Sequence, residues 1–169
     1  MMILAGLILV AIFLAIGVFF VLSVDSLLGK LDFTSDRRAV KAVAAILKDR
    51  KGDFYDLGSA RGGFAVKIAK ALPQARVWGV DDNTFRTACA KIRSSFVPNA
   101  NFIKADIFTT DISRANAAYI YLPQDLMPAL QNKLQKELPS GAIAITNKVS
   151  FPNWQPIRTI NQLYIYAKE

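Results

Sequence analysis

Histidine is absent from all 169 residues, and cysteine occurs once, at Cys89. The first absence excludes an imidazole base, the side chain that titrates nearest neutrality. The second excludes an internal disulfide and fits a reducing compartment. Charge is absent from residues 1–24, so all 21 basic and 13 acidic side chains, net +8, lie beyond Val24. A complete G-x-G-x-x-G is also lacking. Where the chain comes nearest to one, Ala60 takes the second glycine position and Phe64 falls beyond Gly63. A backbone that cannot press against a pyrophosphate argues against a dinucleotide. Neither repeats nor low-complexity segments occur, and no metal site is expected.

The uncharged run is the first feature that is present. A helix over residues 2–24 would be about 34 Å long at ~1.5 Å per residue, enough for a ~30 Å hydrocarbon layer. A cleavable leader would carry a basic start and a shorter apolar run. The expectation is a retained, single-pass anchor over residues 1–24, a connector over 25–35 and a domain over 36–169. Lys30, Arg37, Arg38 and Lys41 follow the span, which places the domain on the cytoplasmic side or its organelle equivalent. Bases further on, among them Lys67, Lys70, Arg76, Lys91, Arg93, Lys133 and Lys136, are scattered without an arginine–aromatic cluster. That pattern suits a basic surface against anionic headgroups better than a nucleic-acid footprint.

Beyond the connector, helix and strand periods alternate. Thr34 or Ser35 is placed to cap a helix over 36–48, and Gly52 ends that approach. Strands are expected at 54–57, 76–80, 101–104, 117–121 and 142–147, with helices at 62–71, 84–95 and 125–137. The segments 156–160 and 163–167 read as a terminal hairpin. Such alternation gives an α/β, Rossmann-like sheet, mostly parallel with an antiparallel end. Its ligands bind outside the carboxyl ends of the strands.

Residues 56–63, D-L-G-S-A-R-G-G, stand at the first of those ends. Gly58 and Gly62 permit a tight turn and close approach of a ligand, and the following helix N-terminus offers N–H groups. Val77-Trp78-Gly79-Val80-Asp81-Asp82 ends the second strand about 20 residues later, where an acid can accept both hydroxyls of a ribose. The pair points to a nucleoside cofactor rather than to glycines that serve packing alone.

The turn resembles the D-x-G-x-G-x-G turn of class I S-adenosylmethionine methyltransferases, with Ala60 as a departure. More specifically, the chain resembles the membrane-anchored lysine methyltransferases whose eukaryotic members act on the c-subunit of ATP synthase and on the adenine nucleotide translocase. The N-terminal span, the turn, L-P-Q-D-L-M-P at 122–128 and F-P-N-W at 151–154 match in order. The family's own segments are V-P-Q-x-M-P and F-P-x-P-x-W, the second being shortened here. The resemblance implies S-adenosyl-L-methionine as cofactor and a membrane-protein lysine as acceptor. Asp56, Gly58, Ser59 and Gly62 would cradle the methionine end. Asp81 would hold the ribose, and Asp106 with Ile107 the adenine. Tyr121, Pro123 and Gln124 would border the sulfonium and the incoming amine, with water or Tyr121 helping to remove its proton. Phe151 and Trp154 would rim the acceptor channel or pack over the sheet.

Two other classes compete. The turn also looks like the D-L-G-x-x-P-G-G turn of heat-shock ribosomal RNA 2′-O-methyltransferases, with Lys148 near their catalytic lysine. Those enzymes need an Asp where Tyr121-Leu122-Pro123 stands here, and Arg61 replaces their proline. A membrane-tethered module that binds the cofactor, or a partner protein, without catalysis is the other, and among enzymes a small-molecule methyltransferase with a membrane-embedded or lipid-like acceptor is a third possibility.

Overall fold

The computed structural model describes residues 6, 8–17, 19 and 35–169. The chain divides into two compact units, residues 1–33 and 34–169. In the first, residues 8–17 are helical and exposed. No described helix is long and apolar enough to cross a membrane. About half of the span expected over 2–24 falls outside the described residues.

The second unit runs α1 (Arg37–Leu47), β1 (Gly52–Leu57), α2 (Gly63–Ala71), β2 (Ala75–Asp81), α3 (Thr84–Arg93), β3 (Ala100–Lys104), β4 (Ala115–Ile120), α4 (Met127–Glu137), β5 (Ile143–Asn147), β6 (Arg158–Ile160) and β7 (Leu163–Ala167). A single 3-10 turn, Gln124–Leu126, precedes α4. The strands form one sheet in the order β3-β2-β1-β4-β5-β7-β6. Pairings from β3 through β5 are parallel, and β7 is antiparallel to both β5 and β6. The mostly parallel sheet with an antiparallel end is thus as the alternation implied. β1 has β2 on one side and β4 on the other, so the strand order reverses there, and the carboxyl end of β1 is the switch point at which sheets of this kind bind ligands.

Two apolar clusters cover the two sheet faces. Val43, Leu47, Phe64, Ile68, Ala90 and Val97 belong to one, and Met127, Leu130, Leu134 and Ile112 to the other. The β3-to-β4 crossover, residues 105–114, contains no helix and covers its face with Ile112 and a turn held on Asp106. Beside it Tyr55 and Trp78 stack, both half-buried.

Three local expectations change. Asp36, not Thr34 or Ser35, caps α1, its carboxylate accepting the Ala39 N–H at 2.7 Å. Of three consecutive residues able to cap, the one whose oxygen meets the third N–H wins. The Ser35 hydroxyl instead bonds Tyr119 Oη. Gly52 opens β1 rather than ending the preceding loop. Its φ of +104° and the Asn116 amide against it leave no room for a side chain, and that amide oxygen accepts the Asp53 N–H at 3.0 Å. Tyr121 lies one residue past β4.

Candidate active site

The turn after β1 is organised by its neighbours. The Gly58 and Ser59 N–H groups both donate to the Val80 carbonyl at 2.9 Å, and Gly62 N–H donates to Ser59 O at 2.9 Å. Ala60 N–H donates to Asp81 Oδ2 at 2.9 Å, and Asn83 N–H donates to Asp81 Oδ1 at 3.0 Å. Asp81, at the end of β2, therefore fastens the glycine turn and the start of α3 while lying nearly buried at the switch point. Its carboxylate oxygens each keep a lone pair for a further donor.

The glycines of the turn are also required by the protein around them. A Cβ on Gly58 would sit 2.6 Å from Leu122 Cδ2, and one on Gly62 2.6 Å from the Phe102 ring, at φ +82° and +72°. The missing side chains thus make room for protein, and the left-handed φ values require glycine independently of any ligand. Ala60 adopts φ +46° with a side chain attached. It holds the backbone form that a glycine at this position would take, at a cost of about 1–2 kcal/mol.

Asp56 is wholly buried beneath this turn. Burial and then the negative charge of Asp81 push its carboxyl up to about 7, against a lowering by the Ala65 N–H that it accepts. Its Oδ2 has no hydrogen-bond partner among the described residues. A buried carboxylate oxygen without a donor, beside a second carboxylate, makes a place for a cationic group carrying N–H bonds. The same pair would repel a pyrophosphate. The residues fit S-adenosylmethionine, which carries an ammonium, a sulfonium and a ribose diol on one molecule.

The remaining residues fall into three groups. Ser59 is buried and Ile107 half-buried. Asp106 is exposed, and its Oδ1 accepts the Phe108 N–H at 2.8 Å while its carbonyl accepts the Thr110 hydroxyl at 2.7 Å, so it caps its own loop. Tyr121 is half-buried, and Pro123 and Gln124 are exposed beyond it. Lys148, exposed after β5, puts Nζ 5.1 Å from the centre of the Tyr121 ring. A hydrogen bond to Tyr121 raises the pKa of its ammonium. An open cavity of about 370 Å³ lies beside Lys148, bordered also by Asp36, Asn147 and Gln162.

Phe151 and Trp154 pack over the sheet, the second of the two roles left open for them. They stack on each other with ring centroids 5.6 Å apart, both pack on Tyr166, and Phe151 N–H donates to Tyr166 Oη at 3.0 Å. Phe151 is core. The residue that sequence reasoning missed is Tyr119, stacked on Phe64 and hydrogen-bonded by Asn147 Nδ2 at 2.9 Å. Burial raises the pKa of its phenol. Nothing in its local pattern distinguishes it from a core apolar residue of β4.

This fold is shared with an RNA methyltransferase from Salinibacter ruber solved with S-adenosyl-L-homocysteine, at TM-score 0.71 and 22% identity over 79% of this chain and 92% of that one. The protein is a class I S-adenosylmethionine-dependent methyltransferase. Within that class, the ANTKMT methyltransferase domain matches residues 56–158, and the chain belongs to that family. It is 29% identical over 127 residues to a protein-lysine N-methyltransferase of Saccharolobus islandicus, covering 73% of this chain and 79% of that one. It is 25% identical over 128 residues to the adenine nucleotide translocase lysine N-methyltransferase of Mus musculus, covering 74% and 56% respectively. To the ATP synthase c-subunit lysine N-methyltransferase of Rattus norvegicus it is 28% identical over 130 residues, covering 74% and 58%. The chain thus spans little more than half the length of these two mammalian relatives.

Proposed function

We propose that the protein transfers a methyl group from S-adenosylmethionine to a lysine amine of a membrane protein, held close to the bilayer by residues 2–24. The observation that carries the reading is the buried Asp56–Asp81 pair at adjacent strand ends, inside the stretch matched by the family. The lysine acceptor is supported by the relatives, whose names are those of lysine N-methyltransferases. The anchor is supported by the charge-free first 24 residues, and the cytoplasmic side, or its organelle equivalent, by the bases that follow.

In this mechanism the bound cofactor supplies an electrophilic methyl group. Asp56 would accept from the cofactor's ammonium, Asp81 from its ribose hydroxyls, and Ser59 with the turn backbone would pack against the methionine portion. Tyr121, Pro123 and Gln124 line the acceptor's approach. The amine must arrive unprotonated, and alignment does most of the rest. A half-buried entrance and the Lys148 ammonium both disfavour a second ammonium there, which lowers the acceptor's pKa. Without histidine, the proton leaves to water or through the Tyr121 hydroxyl.

The test uses purified full-length protein, methyl-tritiated S-adenosylmethionine and membranes of the source cell, with protease or ribonuclease treatment in parallel. Protease-sensitive label recovered as methyl-lysine is the expected result. Ribonuclease-sensitive label would overturn the acceptor assignment, and cofactor binding without transfer would overturn the catalytic one. Deleting residues 1–24 is expected to cut transfer to membrane proteins while leaving cofactor affinity unchanged.

A further inference from the structure

Helix α3 is amphipathic in the wrong sense for a helix that only covers a sheet. Its buried residues are Thr87 and Ala90, and Thr87 spends its hydroxyl on the Asp81 carbonyl at 3.2 Å. Its outer ridge carries the large apolar side chains: Phe85 is 49% exposed and Ile92 74%. They are seven residues apart, two turns on one face, with half-buried Cys89 between them. The chain continues past Arg93 through turn bonds from Ser95 N–H to Ile92 O and from Val97 N–H to Ser94 O. Val97 turns inward there, and Phe96 is left 97% exposed. Single exposed apolar residues are ordinary, but a ridge of three on one short segment is not.

The flanks of the ridge carry one sign of charge. Lys91 lies to one side, Arg86 and Arg93 to the other, Arg93 also donating to the Arg61 carbonyl at 2.8 Å; no acid occurs within the helix, the nearest being exposed Asp82 before its start. Lys91 and Arg93 are exposed. An apolar ridge between basic flanks matches the interface of an anionic bilayer, where rings and branched chains enter the acyl boundary and ammonium and guanidinium groups stay among the phosphates. The charge of the chain, +8, favours the same surface. We infer that α3 and the turn after it, through Phe85, Ile92 and Phe96, form a docking face that lays the methyltransferase domain on an anionic lipid surface. The face serves orientation, a role separate from retention by residues 2–24.

Cys89 being the sole cysteine, one label can be placed at will. The full chain as Cys89→Ser/Phe96→Cys takes an environment-sensitive fluorophore. A control, Cys89→Ser/Asn132→Cys, carries it at an exposed site of α4, over the other sheet face. Each is reconstituted in vesicles of phosphatidylcholine alone or with phosphatidylglycerol, containing lipid spin-labelled near the headgroup end of the acyl chain. The expected result is strong quenching at position 96 in anionic vesicles, little in neutral ones, and little at position 132 in either. Equal quenching at both positions, or none at 96 in protein that floats with the vesicles, would overturn the docking face and leave the anchor standing. Protein that does not float at all counts against the anchor as well. Crosslinking between copies through position 96 in place of quenching would assign the ridge to a second copy of the chain.

Discussion

Asp81 Oδ2 and the Ala60 N–H, 21 residues apart in sequence, meet at 2.9 Å and join the ends of β1 and β2 into one piece. The carboxylate proposed to hold a ribose is therefore also the support of the turn beside it. Asp81→Ala is expected to abolish S-adenosylmethionine binding in calorimetry and to lower stability to urea by only about 1–2 kcal/mol, the scale of lost charge-assisted hydrogen bonds. Unchanged cofactor affinity would remove Asp81 from the site.

Asp56 makes stability and binding depend on pH. Its native carboxyl titrates at about 7 because it is buried and faces Asp81, whereas an unfolded Asp titrates near ~3.9. Its contribution favours the native state most at low pH and is lost as pH rises from about 4 through about 7, on the order of a few kcal/mol. Asp56→Asn, which cannot ionise, is expected to flatten that fall in urea midpoints and to gain on the parent most above neutrality. If a cofactor ammonium settles on Asp56, binding near pH ~6.5 will release a proton. Calorimetry in buffers of different ionisation enthalpy reads that directly, and no buffer dependence would count against the contact.

The turn contains an informative reversal. Gly58→Ala places a Cβ against Leu122 at φ +82°, and is expected to cost about 1–3 kcal/mol. Leu122→Ala in the same chain should recover the steric part and leave the backbone part. Ala60→Gly runs the other way, relieving a left-handed alanine, and is expected to stabilise by about 1 kcal/mol. A loss of stability there would mean the alanine methyl packs usefully.

Tyr119→Phe keeps the stack on Phe64 and removes only the hydroxyl. Asn147 Nδ2 then loses its acceptor inside the sheet, and Ser35 its tie to β4. A loss of about 1–3 kcal/mol in urea is expected, with Ser35→Ala giving less because that end is half-buried.

Lys148→Met tests the electrostatic part of the proposed mechanism. Removing the ammonium above the Tyr121 ring lets an acceptor amine hold its proton more tightly. The rise of kcat with pH, which reports groups in the bound complex, is expected to move to higher pH. An unmoved profile would separate Lys148 from the reacting amine.

Much of this architecture could be read in advance, for identifiable reasons. Strands and helices alternate with Gly and Pro between them, so their order and the mostly parallel sheet follow from periodicity. The acids at the ends of β1 and β2 were visible because their spacing is fixed by one βαβ unit. What could not be read depends on distant partners. That Phe151 hands its N–H to Tyr166, fifteen residues on, has no local sign. Nor has the approach of Leu122, 64 positions away, to Gly58. The capping role of Asp36 among three candidates was settled by an N–H direction, which composition does not encode. By contrast, the helix-free crossover from β3 to β4 was legible, because no helix period falls between residues 104 and 117.

That bare crossover bears on how unfolding will look. The chain has two tryptophans. Trp78 stacks on Tyr55 beside the helix-free segment, and Trp154 packs in the aromatic group over β5 and β7, both on the α4 side of the sheet. Intrinsic fluorescence therefore watches one layer, while α1, α2 and α3 contain no indole. A partial melting confined to those three helices would be dark to tryptophan emission and visible to helical dichroism. A gap between the two transition curves would locate the weaker layer without a single substitution.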